Sequence, residues 1–140
     1  MKYSQIKQIK ADCSDIGVDD WKQVIIEMEN GTNDFTVDNY QFIHKEDIDR
    51  IFEDSLSSDA YMLGCFTSWF IADNSSLSFD IVEALQEACK YEAIGHHIID
   101  NDDLTVFAEA AISADGYGHF FGHYDGHEYE IGNYYAFRVN

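Results

Sequence analysis

The sequence predicts an α+β fold, with five or six short helices packed around a central apolar helix at about 59–72. A small antiparallel β-sheet, formed largely by a C-terminal meander, completes it. Three observations lead there. Apolar residues recur at three- and four-residue steps through most of the chain ahead of Ser113, which is the helical period. From Ser113 onward the pattern changes to aromatic and apolar runs cut by Asp125-Gly126 and Gly132-Asn133, dipeptides suited to tight turns. Proline is absent from all 140 residues, so turns fall to Gly, Asn and Asp, and no stiff linker parts the chain. A single domain, 1–140, is expected at this length.

In order, Ser4 is expected to cap a first helix with Ile6, Ile9, Cys13 and Ile16 toward its apolar side. Asp19 or Asp20 caps a second, carrying Trp21, Val24, Ile25 and Met28 and stopping at Gly31. Phe35, Val37, Tyr40 and Phe42 read as a strand or irregular hairpin around Asp38-Asn39. Lys45 to Leu56 returns to helix, with Ile48, Ile51, Phe52 and Leu56 on one face. Asp59 then opens the apolar helix through Ala72, where Gly64 allows a close helix contact. Ser78 caps a helix with Ile81, Val82, Leu85, Ala88 and Cys89 inward; Ala93 to Ile99 is helical, and Asp102 or Asp103 caps a last helix through Ile112. Phe120 to Tyr124, Glu128 to Ile131 and Tyr134 to Val139 are the three runs of the meander.

Charge is the outlying property. Twenty-seven acidic against eight basic side chains leave −19, and beyond Arg50 only Lys90 and Arg138 are cationic. Such a surface repels nucleic acid and anionic membrane and attracts cationic partners over about 8 Å at physiological salt. An apolar content of 46% excludes disorder despite the charge. No leader or spanning segment is read: MKYSQIKQIK lacks an apolar core, and the longest apolar run, Tyr61 to Ala72, is short of the ~20 residues a bilayer crossing needs. A cytoplasmic protein is expected. Cys13, Cys65 and Cys89, odd in number and widely spaced, read as buried reduced thiols.

Catalytic signatures are missing. No G-x-S-x-G elbow or H-E-x-x-H helix occurs, and Gly116, Gly118 and Gly122 lack the lysine of a phosphate cradle. Asp100 to Asp103 fails as a calcium loop, since Thr105 and Ala111 stand where glycine and glutamate are needed. His119, His123 and His127 recur every four residues among carboxylates and form the one candidate metal set, for zinc or another borderline ion. The expectation is a non-enzymatic protein without a cofactor.

The acidic rows are more informative. Glu46, Asp49 and Glu53, and likewise Asp80, Glu83 and Glu87, fall at i, i+3 and i+7 on expected helices, with Asp100, Asp102 and Asp103 as a second patch. Neighbours in such a row stand about 5–6 Å apart, comparable with successive phosphates of a nucleic-acid strand. These nine residues are the candidate partner contacts, directed at a basic nucleic-acid-binding protein rather than at nucleic acid.

YMLGCFTSWFIAD, ALQEA and YEAIG, followed by the ending ADGYGHF, YDGHEYE and YYAFRVN, resemble a family of small uncharacterised acidic proteins encoded by bacteriophages and prophages. The likeness covers about Asp59 to Asn140. A phage origin, with small size and acidity, is similar to the anti-restriction and anti-CRISPR inhibitors that bind the nucleic-acid groove of a host defence complex. That resemblance implies an acidic DNA or RNA mimic acting on a CRISPR effector or restriction enzyme in the host cytoplasm. Two alternatives stand beside it. One is a metal-binding module or metal-dependent enzyme at His119, His123 and His127; the other is a phage structural or regulatory protein acting through exposed aromatics near Tyr134 and Tyr135.

Overall fold

The computed structural model describes all 140 residues. The fold is α+β, with nine helices and a four-stranded antiparallel sheet. Contacts within the chain define two compact units, Met1–Ile48 with Asp115–Asn140, and Asp49–Ala114.

The first unit contains α1 (Tyr3–Ile16), α2 (Trp21–Glu29), β1 (Asp34–Val37) and β2 (Tyr40–His44), then α9 (Tyr117–Phe121), β3 (Tyr129–Ile131) and β4 (Tyr134–Arg138). Lys2, not Ser4, occupies the N-cap of α1, and Gln5 reaches back to the Lys2 amide. Gly17 and Gly31 end α1 and α2 with φ of +87° and +72°, a conformation that costs glycine little. Asp20 caps α2 by accepting from the Gln23 amide. The sheet order is β1-β2-β4-β3, with Phe42 paired to both Phe35 and Ala136, and Ile131 to Tyr134. The hairpin at Asp38-Asn39 is regular. Asp38 takes φ +52°, and its carboxylate accepts from the Asp19 and Asp20 amides, tying the turn to the start of α2.

Because side chains alternate across a strand, Val37, Tyr40, Phe42, Ile131, Tyr134 and Ala136 share one face and pack with Ile9, Cys13, Val18 and Val24. Burial of each large side chain here is worth roughly 1.5–3 kcal/mol. Two tyrosine hydroxyls leave this core satisfied, Tyr40 donating to the Ile16 carbonyl and Tyr134 to that of Thr32. On the opposite face Phe137 meets Phe121 at 5.2 Å and Tyr135 meets Tyr117 at 5.2 Å, so α9 covers that side. The first run of the expected meander, Phe120 to Tyr124, is therefore not a strand. Tyr117, Phe120 and Phe121 are spaced for one helical face, and the bare Gly118 lets the backbone of Gly126 approach closely. Asp125-Gly126 is a turn leading into β3, and the hairpin turn is Gly132-Asn133.

The second unit holds α3 (Ile48–Ser57), α4 (Ala60–Gly64), α5 (Ser68–Asn74), α6 (Phe79–Glu87), α7 (Tyr91–Asn101) and α8 (Leu104–Asp115), with the unit boundaries falling at the first residue of α3 and the last of α8. Phe52, Leu56, Leu63, Ile71, Val82, Ile94, Ile98, Phe107 and Ala111 are buried in it. The expected continuous helix at 59–72 is two. Asp59 does cap α4 through the Met62 amide, but Thr67 turns extended and caps α5 through the Phe70 amide. A hydroxyl that bonds the backbone locally competes with helix continuation. The Gln86 amide then holds the break, donating to the Gly64 and Phe66 carbonyls at 2.9 and 2.8 Å. Nor is this stretch buried all round, for Tyr61 and Trp69 are 54% and 64% exposed.

At the end of α6 the Cys89 amide bonds the Gln86 carbonyl and the Lys90 amide that of Leu85, a Schellman closure with Cys89 at φ +58°. Ala88 and Cys89 are consequently exposed rather than inward, as is Ile81.

Candidate functional site

Acidity is densest in Asp49–Ala114. Thirteen carboxylates and two cations, Arg50 and Lys90, leave this unit at −11. Arg50 is already paired with Asp54 at 3.4 Å.

Within the unit, α6 presents the cleanest row. Ser78 caps it through the Ile81 amide, Val82 is its buried anchor, and Asp80, Glu83 and Glu87 are all exposed. None of the three has a hydrogen-bond or ion-pair partner within the chain, so the full charge faces solvent. Asp80 suits the positive end of the helix dipole, but Glu87 closes the helix at its negative end, where no basic residue offsets it. That placement, and like charges at three- and four-residue spacing, each cost a few tenths of a kcal/mol.

The other predicted contacts are dispersed. Glu46 lies in the turn before α3, off the helix expected to carry it, because α3 begins only at Ile48. Asp49 is exposed on α3, whereas Glu53 is half-buried and accepts from the Thr105 hydroxyl at 2.8 Å. Asp103 is used as the cap of α8, accepting from the Thr105 and Val106 amides. Asp102 is 11% exposed at its side chain; it accepts from the Ser76 amide and lies 4.0 Å from His97 Nε2. Of that second patch Asp100 alone extends a carboxylate to solvent without a bond in the chain.

His119 sits on α9, while His123 and His127 lie in the segment between α9 and β3, and all three are exposed. They do not converge: nowhere in the chain do three His, Cys, Asp or Glu side chains come together in a way that could hold a metal ion. The aromatics near the C-terminus are not an open patch either. Tyr134 is buried, and Tyr135 is half-buried between Tyr117 and the Lys45 ammonium.

The chain matches no family model, no curated protein and no solved structure. Among the thiols, Cys13 is buried and pushed up to about 11 by desolvation, with the Asp12 and Asp38 charges adding, so it stays protonated and inert near neutrality. Cys65 and Cys89 are exposed, against the expectation of three buried thiols; one caps α4 and the other occupies the left-handed position after α6. No helix is long and apolar enough to cross a membrane.

Trp69, expected within the central apolar helix, and Phe79, which the sequence did not single out, stack at 4.0 Å between centroids with 22° between planes, on α5 and α6 beside the acidic row. Their i, i+4 relation to Asp73 and Glu83 was available as a signal.

Proposed function

We propose that this chain is a non-enzymatic, phage-encoded anti-defence inhibitor of the anti-CRISPR or anti-restriction type. It occupies the basic nucleic-acid-binding surface of a host protein complex as an acidic mimic of DNA or RNA, in the cytoplasm and without a cofactor. The observation supporting this reading is the unpaired row Asp80, Glu83 and Glu87 on α6, in a unit of net charge −11.

Three charges over seven helical steps span about 10 Å. The two intervals of about 5 Å are comparable with successive phosphates of one strand, and the row is well below the charge density of a duplex, about one per 1.7 Å. A single helix thus imitates one strand, and the remaining carboxylates of the unit thicken the field. A partner groove lined with Lys and Arg is the complementary surface, and nucleic acid itself is repelled.

Passing a bacterial lysate over the immobilised protein at about 0.05 M salt tests the reading. Nucleic-acid-binding proteins are expected to be retained, released by duplex DNA or by about 0.5 M salt, and lost on an Asp80→Lys, Glu83→Lys, Glu87→Lys column. Retention unaltered by DNA or by the triple reversal would overturn it.

A further inference from the structure

On α5 and α6 the stacked pair Trp69–Phe79 is an aromatic step exposed to solvent. With one face of its indole on Phe79, an exposure of 64% leaves the other face of Trp69 open. The chain's other tryptophan is used differently: Trp21 has the ammonium groups of Lys10 and Lys22 at 5.0 and 5.7 Å from its ring. Tyr135 and Tyr124 are likewise taken, by Lys45 at 5.3 Å and Arg138 at 3.9 Å. No cation of the chain lies over Trp69.

A carboxylate lies one helical turn beyond each member of the pair. Asp73 follows Trp69 by four residues on α5, and Glu83 follows Phe79 by four on α6; both are exposed and neither bonds within the chain. Helical side chains lean toward the N-terminus, so each carboxylate tilts back over the level of its aromatic partner. An electron-rich face with exposed carboxylates one turn away on both helices suits a guanidinium. It stacks on the ring while its planar N–H fork meets a carboxylate. A lysine ammonium, compact and strongly hydrated, gains the charge but not the stack.

We propose that Trp69, Phe79, Asp73 and Glu83 form a subsite for an arginine side chain of the basic partner. This rests on the acidic-mimic reading above and deepens it, since it makes recognition depend on arginine rather than on positive charge alone.

Nona-arginine and nona-lysine peptides, equal in charge, separate the two ideas. In a Trp21→Phe background the indole emission comes from Trp69, and calorimetry supplies the affinity. The arginine peptide is expected to quench that emission and to bind about two- to fivefold more tightly than the lysine peptide. Trp69→Ala should bring the ratio to about one while leaving lysine-peptide affinity within about twofold, with Trp69→Phe intermediate. The triple reversal on α6, which removes Glu83 from the subsite as well, should weaken both peptides and the arginine peptide more. Equal affinities in the parent, or a preference that survives Trp69→Ala, overturns the arginine subsite and leaves the acidic-mimic reading standing. Failure of both peptides to bind overturns both.

Discussion

Gly64 in α4 lies against the backbone of Tyr91 in α7 so closely that a β-carbon on it would overlap the Tyr91 carbonyl. Gly95 of α7 stands in the same relation to the backbone of Ala60, so the two helices cross through a pair of bare α-carbons. Helix propensity alone favours Gly64→Ala by about 1 kcal/mol. Overlap with fixed backbone opposes it by about 1–3 kcal/mol or more, and the overlap wins. Both Gly64→Ala and Gly95→Ala are expected to lower the urea midpoint, whereas Gly126→Ala, with open space at φ +70°, should cost only about 1 kcal/mol. A midpoint raised by Gly64→Ala would mean the crossing is looser than described.

Thiol accessibility differs sharply along the chain. Ellman's reagent at pH 8 should modify Cys65 and Cys89 within minutes and leave Cys13 unmodified until the protein is denatured. The folded pKa of Cys13 is raised from 9.0 to about 11, so the fold favours the neutral thiol. Its contribution to stability is whole below pH 9 and is lost as pH climbs from 9 through 11, because the unfolded chain then holds fewer protons than the native one. Cys13→Ala should flatten that alkaline decline in denaturant titrations; an identical decline in the variant would assign it elsewhere.

Caps give smaller effects. Asp20→Ala removes the acceptor for the Gln23 amide and Ser78→Ala that for Ile81, and each should cost about 1 kcal/mol in chemical denaturation. Losses under a few tenths would show that water substitutes fully for the side chain.

Most helices were legible because capping and periodicity agree: Asp20, Asp59 and Ser78 start helices where the sequence places them. The misreadings have physical causes. Thr67 breaks an apolar run because its hydroxyl offers the backbone a local bond that composition does not advertise. Cys89 ends α6 in a left-handed conformation without the usual glycine, so nothing in the sequence marks the stop. Phe120 to Tyr124 reads as a strand by composition, but the spacing of Tyr117, Phe120 and Phe121 and a close backbone approach at Gly118 make it α9. For the acidic surface, the α6 row was readable because one buried residue, Val82, fixes the helix orientation. Which carboxylates are spent internally was legible only for the local cap at Asp103, because Glu53 and Asp102 find their partners, the Thr105 hydroxyl and the Ser76 amide, only in the folded unit.

Charge on α6 should trade stability for binding. Glu87→Lys replaces an anion at the negative end of the dipole and relieves repulsion from Glu83, so a gain of about 0.3–1 kcal/mol is expected in thermal or urea unfolding. The same variant should weaken salt-sensitive association. A variant that is less stable, or equally stable with unchanged association, would show that the row is held for neither reason.

An acidic mimic of this kind competes with nucleic acid for one basic surface. Fluorescence anisotropy of a labelled duplex, bound to a DNA-releasable protein retained from the lysate, tests it most directly. Added protein should return the duplex to its free anisotropy, at a midpoint that rises with duplex concentration and steeply with salt, and the Asp80→Lys, Glu83→Lys, Glu87→Lys variant should fail to displace it. A duplex that stays bound while the protein is shown to associate with the same complex would contradict the account.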